Sequence, residues 1–90
     1  MPIVRLAQHL QRHVPSASEF RVDGGTVAEV LAAVFTRVPT LRGYVLDDQG
    51  AVRKHVTIFA DNQAISDRRL QSDPVSTDSE IYVMQALSGG

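Results

Sequence analysis

The sequence contains no cysteine, which excludes disulfides, thiolate nucleophiles, zinc–thiolate centres and iron–sulfur clusters. Any sulfur chemistry must use atoms other than a side-chain thiol. A surplus of charge is also missing, since nine Lys and Arg stand against ten Asp and Glu for a formal net charge of −1. Binding driven by phosphate contacts calls for a basic excess, so nucleic acid is not an expected partner. No run approaches the ~18 apolar residues of a membrane span, and Met1-Pro2-Ile3-Val4-Arg5 lacks the apolar stretch of a signal peptide. A soluble cytoplasmic protein without membrane contact is expected. Internal repeats, low-complexity tracts and linkers are absent as well, which leaves a single domain in 90 residues.

What is present is an ordinary globular composition, 43% hydrophobic and 21% charged, too apolar for a disordered chain. Ile3-Val4-Arg5-Leu6 predicts an opening strand with Val4 and Leu6 on one face, and Phe20-Arg21-Val22 a second strand close enough to pair with it. Thr26 and Glu29 form a capping box ahead of Val27, Val30, Leu31, Val34, Phe35 and Val38, which share one helical stripe. A helix over 27–38 follows, ended by Pro39. Tyr44-Val45-Leu46 reads as a short extended piece before the Asp47-Asp48-Gln49-Gly50 turn. Residues 52–60 read as the longest strand, with Asp61-Asn62 supplying the positive φ of a hairpin turn into Gln63-Ala64-Ile65. A polar loop over 66–80 leads to a last strand from Ile81 to about Ala86.

This order gives an α+β domain, with one amphipathic helix on one face of a mixed sheet of four or five strands. The expected core is Val4, Leu6, Phe20, Val22, Val30, Leu31, Val34, Val56, Ile58, Ile81 and Val83. Phe59, Tyr82 and Met84 fall on the opposite parity and should form an apolar patch on the uncovered face.

Enzyme-like constellations are weak. His9 and His13 have the spacing of two zinc ligands on a helix, but no HExxH glutamate lies between them and Pro15 stops the segment. No metal site is expected. His55 could touch a partner or pack across strands. Gly24-Gly25 belongs to neither GxxxxGK[ST] nor GxGxxG, and Asp47, Asp48, Asp61 and Asp67 read as solvated turn residues.

The sequence closes with Gln85-Ala86-Leu87-Ser88-Gly89-Gly90. Two glycines weaken both strand and helix, but a backbone without Cβ can pass a constriction that excludes other residues. Extended, 86–90 would reach about 17 Å, and the expected division is a domain over 1–86 with a flexible tail over 87–90. This tail, together with Ile3-Val4-Arg5-Leu6, Gly25-Thr26-Val27 with Val30-Leu31, His55-Val56-Thr57-Ile58-Phe59-Ala60 and Glu80-Ile81-Tyr82-Val83, resembles the MoaD/ThiS family of ubiquitin-like sulfur carriers over nearly the whole chain. Two turns depart from the family pattern, Asp61-Asn62 where Asn-Gly is common and Thr77-Asp78-Ser79-Glu80 where Asp-Gly-Asp is common. The segment over 45–55 looks more like the MoaD and cysteine-pathway carriers than the thiamin-pathway one.

The resemblance implies a β-grasp fold and a carrier instead of an enzyme. It implies that an E1-like activating enzyme, using ATP and Mg²⁺, adenylates the Gly90 carboxylate, which a sulfur donor then converts to a thiocarboxylate. No cofactor would be bound by the chain itself. Implied partners are that enzyme, a sulfur-accepting synthase and a metalloprotease of the JAMM type acting on the tail. The implied partner-binding residues are Gly89, Ser88, Leu87, Met84, Phe59 and Tyr82. Conjugation of Gly90 to lysines, as by a ubiquitin-like modifier, uses the same activation and stays open.

Overall fold

In the computed structural model, which describes residues 1–12 and 19–85, alternation of inward Val4 and Leu6 with outward Arg5 makes β1 (Ile3–Leu6). The chain then winds through one helical turn, α1 (Gln8–Gln11). This turn was not foreseen, and it brings Leu10 fully into the core. The histidine pair His9/His13 lies outside the described residues and side chains. β2 (Glu19–Arg21) pairs antiparallel with β1, Val4 facing Phe20.

The helix α2 (Val27–Arg37) forms where the apolar stripe demands it, with Val27, Val30, Leu31, Val34 and Phe35 buried. Its start is doubly fixed. Thr26 Oγ1 accepts the Glu29 N–H at 3.2 Å, and Glu29 Oε1 accepts the Gly25 N–H at 2.8 Å, so side chains satisfy amides at a helix terminus that has no intrahelical acceptors for them. Gly24 is needed here for space, since a Cβ would stand 2.8 Å from Val30 Cγ2 and its backbone nitrogen. Two more free amides, of Val27 and Ala28, donate to the carbonyls of Asp73 and Gln71. The long polar loop is thus a brace for the helix.

That loop is held by its own carboxylates. Asp67 accepts the Ser72 hydroxyl at 2.6 Å and the amides of Leu70, Ser72 and Arg69. Asp73 accepts the amides of Ser66 and Asp67, both at 2.9 Å. Buried Gln71 adopts φ 52° and donates its side-chain amide to the carbonyls of Arg68 and Gly50.

Two expectations fail between α2 and the next strand. Tyr44-Val45-Leu46 is not extended: Pro39–Leu41 forms a 3₁₀ turn that continues into α3 (Arg42–Val45). Leu41 and Val45, four residues apart, are both buried, and a helical turn points them the same way. Residues 52–60 do not form one strand either. β3 covers Val56–Ala60, and Val52 makes only an isolated bridge with Leu46. The neighbouring strand, β5 (Glu80–Gln85), sets Gln85 opposite Val56. Earlier backbone groups go elsewhere, the Val52 N–H to Arg68 O and the Arg53 N–H to Val45 O.

The hairpin turn is as expected, with Asp61 at φ 52° and Asn62 at φ 70° leading into β4 (Gln63–Ala64). Asp61 also accepts the Glu80 N–H and the Ser79 hydroxyl, both at 2.9 Å, which ties the hairpin to the start of β5. The sheet order is β2-β1-β5-β3-β4, with β5 parallel to β1 and antiparallel to β3. All eleven expected core residues are buried, joined by Leu10, Leu41, Val45, Leu46, Val52 and Ile65 among others. Among the described residues no helix is long and apolar enough to cross a membrane.

Candidate functional site

With α2 on one face of the sheet, the strands turn their other parity outward. β5 buries Ile81 and Val83 and exposes Tyr82 and Met84, at 41% and 36%. Tyr82 stands directly opposite Phe59, and Met84 opposite Thr57, one diagonal from Phe59. The three apolar residues assigned from parity therefore share one face. Phe59 is half-buried instead of exposed, being flanked across the sheet by Tyr82 and Ala64.

On the far side of Tyr82 the face becomes ionic. Arg5, opposite Tyr82 on β1, donates to Glu19 at 3.1 Å and to Glu80. All three side chains are about half exposed, so these pairs contribute little stability, but they fix a planar cation beside the Tyr82 position. A cavity of about 250 Å³ opens between Arg5, Glu19, Gln11 and Tyr82. Sequence reading missed this ionic row, although the outward parity of Arg5 between Val4 and Leu6 carried the signal.

Gln85 of β5 lies beside the turn that begins β3. The Val56 N–H donates to Arg53 O, which places Lys54 and His55 at the corners of that turn, both exposed. His55 is thus clear of cross-strand packing. Asp47 and Asp61 are turn residues, as expected, and Gly24-Gly25 serves the α2 N-terminus. The terminal candidates Leu87, Ser88, Gly89 and Gly90, and the division at 86/87, lie outside the described residues.

Two carboxyls are drawn below their ordinary range. Asp67 falls from 3.8 to about 2, chiefly through the Ser72 hydroxyl and then the Leu70 amide. Asp73 is lowered, chiefly by the Ser66 and Asp67 amides. Both belong to the brace under α2 and lie away from the open face. Among the described residues no group of three or more His, Asp or Glu could hold a metal ion.

No family model and no curated protein matches the sequence. Solved structures match it in shape. SAMP1 from Haloferax volcanii superposes with a TM-score of 0.83 at 23% identity, over 99% of this chain and 98% of that one. The Amycolatopsis orientalis BexX/CysO complex contributes a chain with a TM-score of 0.86 at 14% identity, both chains covered fully. Sulfolobus solfataricus Urm1 gives 0.70 at 16% identity, over 94% of this chain and 100% of that one. Identities this low speak for architecture, and the architecture is unambiguous: the chain has the ubiquitin-like β-grasp fold, as the sequence resemblance implied.

Proposed function

We propose that this chain is a sulfur carrier, in which the Gly90 carboxylate is adenylated by an E1-like enzyme and then converted to a thiocarboxylate that donates sulfur to a biosynthetic acceptor. One juxtaposition supports this above all: β5, the central strand of a β-grasp sheet, is the strand that leads into Ala86-Leu87-Ser88-Gly89-Gly90. A carboxylate is a poor acyl donor because oxide is a poor leaving group, and AMP is a good one. In the activating step a Gly90 oxygen attacks the α-phosphorus of ATP and pyrophosphate leaves. A sulfur nucleophile then adds to the Gly90 carbonyl carbon and AMP departs with the oxygen. ATP and Mg²⁺ are used by the activating partner, and the carrier supplies only the reacting carboxylate.

In this reading Phe59, Tyr82 and Met84 dock the activating enzyme while Leu87, Ser88 and Gly89 pass into its site, where side-chain-free glycines fit a narrow passage. The further partners are a sulfur-accepting synthase and a JAMM-type metalloprotease acting on the tail, in the cytoplasm. Likeness to small archaeal modifier protein 1 favours a second reading, conjugation of the activated Gly90 to lysine amines.

ATP–pyrophosphate exchange with the cognate activating enzyme, followed by mass analysis, tests both. One residue added after Gly90 displaces the carboxylate by about 3.5 Å and should abolish exchange while the domain stays folded. A product heavier by the difference between sulfur and oxygen supports the carrier, and a ladder of lysine conjugates supports the modifier. Full exchange by the extended protein would sink both.

A further inference from the structure

The turn at the start of β3 gathers cations from three segments. Arg53 donates its Nε to Gly43 O at 2.6 Å, beside Arg42 at the start of α3. Arg68 reaches in from the loop and donates to Arg53 O and Val56 O, both at 2.7 Å. Lys54 and His55 occupy the exposed corners between them. These guanidinium groups are held by neutral carbonyl oxygens, so their charge is positioned without being neutralised. Among the described residues the ion pairs are those of Arg5 with Glu19 and Glu80. The acids adjacent in sequence keep their charge while accepting from backbone amides, Asp47 from those of Gln49 and Ala51 and Asp67 from those of Arg69, Leu70 and Ser72. Among the described residues Asp48 stands exposed nearby without such a contact. Val56, the first residue of β3, pairs with Gln85, so the cations border that part of β5, next to outward-facing Met84.

We propose that Arg42, Arg53, Lys54 and Arg68 form a cationic collar beside Gln85 of β5 that docks on an acidic protein surface, the rim of the site that receives this chain's C-terminus. The occupant follows from charge complementarity and from continuity with the Met84 side of the open face; naming that rim rests on the function proposed above. Cations held at such a rim raise the encounter rate and fix the angle of approach, while Met84 and Phe59 supply apolar contact.

Amide chemical-shift mapping of the intact chain with a ten-residue poly-glutamate peptide, at low salt, tests the collar without any activating enzyme. Shifts should centre on 42–45, 53–57, 68–69 and 84–85 and vanish at ~1 M salt, where the screening length falls to about 3 Å. Lys54→Glu and Arg42→Glu, whose side chains make no hydrogen bond or ion pair among the described residues, should each weaken the peptide at least about threefold, and together at least about tenfold. Arg21→Glu, on the other edge of the sheet, should not.

Shifts spread over Arg5, Arg12, Arg21 and Arg37, an unaltered affinity in the double variant, or no shifts at all would overturn the collar. So would a single-stranded oligonucleotide of equal charge binding the same residues more than about tenfold tighter than the peptide, which would make the patch a nucleic-acid surface. Pyrophosphate exchange reads the functional proposal separately: normal exchange with failed mapping removes the collar alone, and successful mapping without exchange removes the activation reading and the rim named from it, leaving an acid-binding collar.

Discussion

Asp67 shows how one solvent-facing side chain can organise a loop. Its carboxylate gathers one hydroxyl and three amides from Arg69 to Ser72, and these bonds favour the ionised form. A carboxyl whose folded value lies at about 2, below the ordinary 3.8, contributes stability that is present above pH ~4 and is lost as pH falls through about 2. Asp73 acts in the same direction. The stability difference between the parent and Asp67→Asn, measured by urea unfolding, should therefore be largest above pH ~4 and shrink steadily toward pH ~2. A difference that stays constant over that range would remove the charge from the account. Leu31 supplies the apolar counterpart. At 2% exposure on the buried stripe of α2, its replacement by alanine should cost roughly 2–5 kcal/mol through lost burial and a cavity, read as a lower urea midpoint at unchanged slope.

At the scale of elements, α2 and the loop over 66–79 stabilise each other. The residue before the helix cap gives the loop an anchor through Gly25 O, which accepts the Val75 N–H, and the loop gives the helix two carbonyls for its first amides. Thr26→Ala removes the acceptor of the Glu29 amide and should cost about 1 kcal/mol. Hydrogen exchange should show faster amides at Val27 and Ala28 as well as Glu29, since the cap and the brace share one terminus. Protection lost at Glu29 alone would mean that the loop holds the helix without the cap. The same elements show what a sequence discloses. The stripe from Val27 to Phe35, the parity of β5 and the positive-φ pair Asp61-Asn62 are local patterns with one structural solution, so each was legible. The α3 turn was hidden because Val45 and Leu46 are β-branched or large and apolar, and their helical partner Leu41 lay beyond the short window that suggested extension. Val52 has the same parity as Val56, so alternation ran on through a break where the Val52 and Arg53 amides turn to the carbonyls of Arg68 and Val45. Such pairing is a tertiary fact. The open face was legible from parity in Phe59, Tyr82 and Met84, while the placing of Arg53 and Arg68 depends on side-chain bonds to distant carbonyls that no local pattern encodes.

For the whole molecule, β5 joins core, outer face and C-terminal segment in six residues. Paired on both sides, it cannot shift without breaking the sheet, and a one-residue slip would exchange its two faces. Adjacent substitutions should therefore have opposite consequences. Val83 is 0% exposed, and an aspartate there would place a charge in the core without a partner, a cost of several kcal/mol comparable to the whole stability of a domain this small. Val83→Asp should be unfolded by circular dichroism at 25 °C. At Met84 the same aspartate points to water, so Met84→Asp should retain the fold within about 0.5 kcal/mol of the parent. The functional consequence is reversed. If the open face docks the activating enzyme, the Met84→Asp carboxylate stays hydrated in the free chain and must be stripped of water only in the complex, which should weaken association at least tenfold, about 1.4 kcal/mol. Calorimetric titration of the folded Met84→Asp protein against the cognate enzyme, with Thr36→Asp on the exposed side of α2 as the control, measures this directly. Equal affinities for the parent and Met84→Asp would move the interface off the open face, and an equal loss for Thr36→Asp would reduce the effect to net charge.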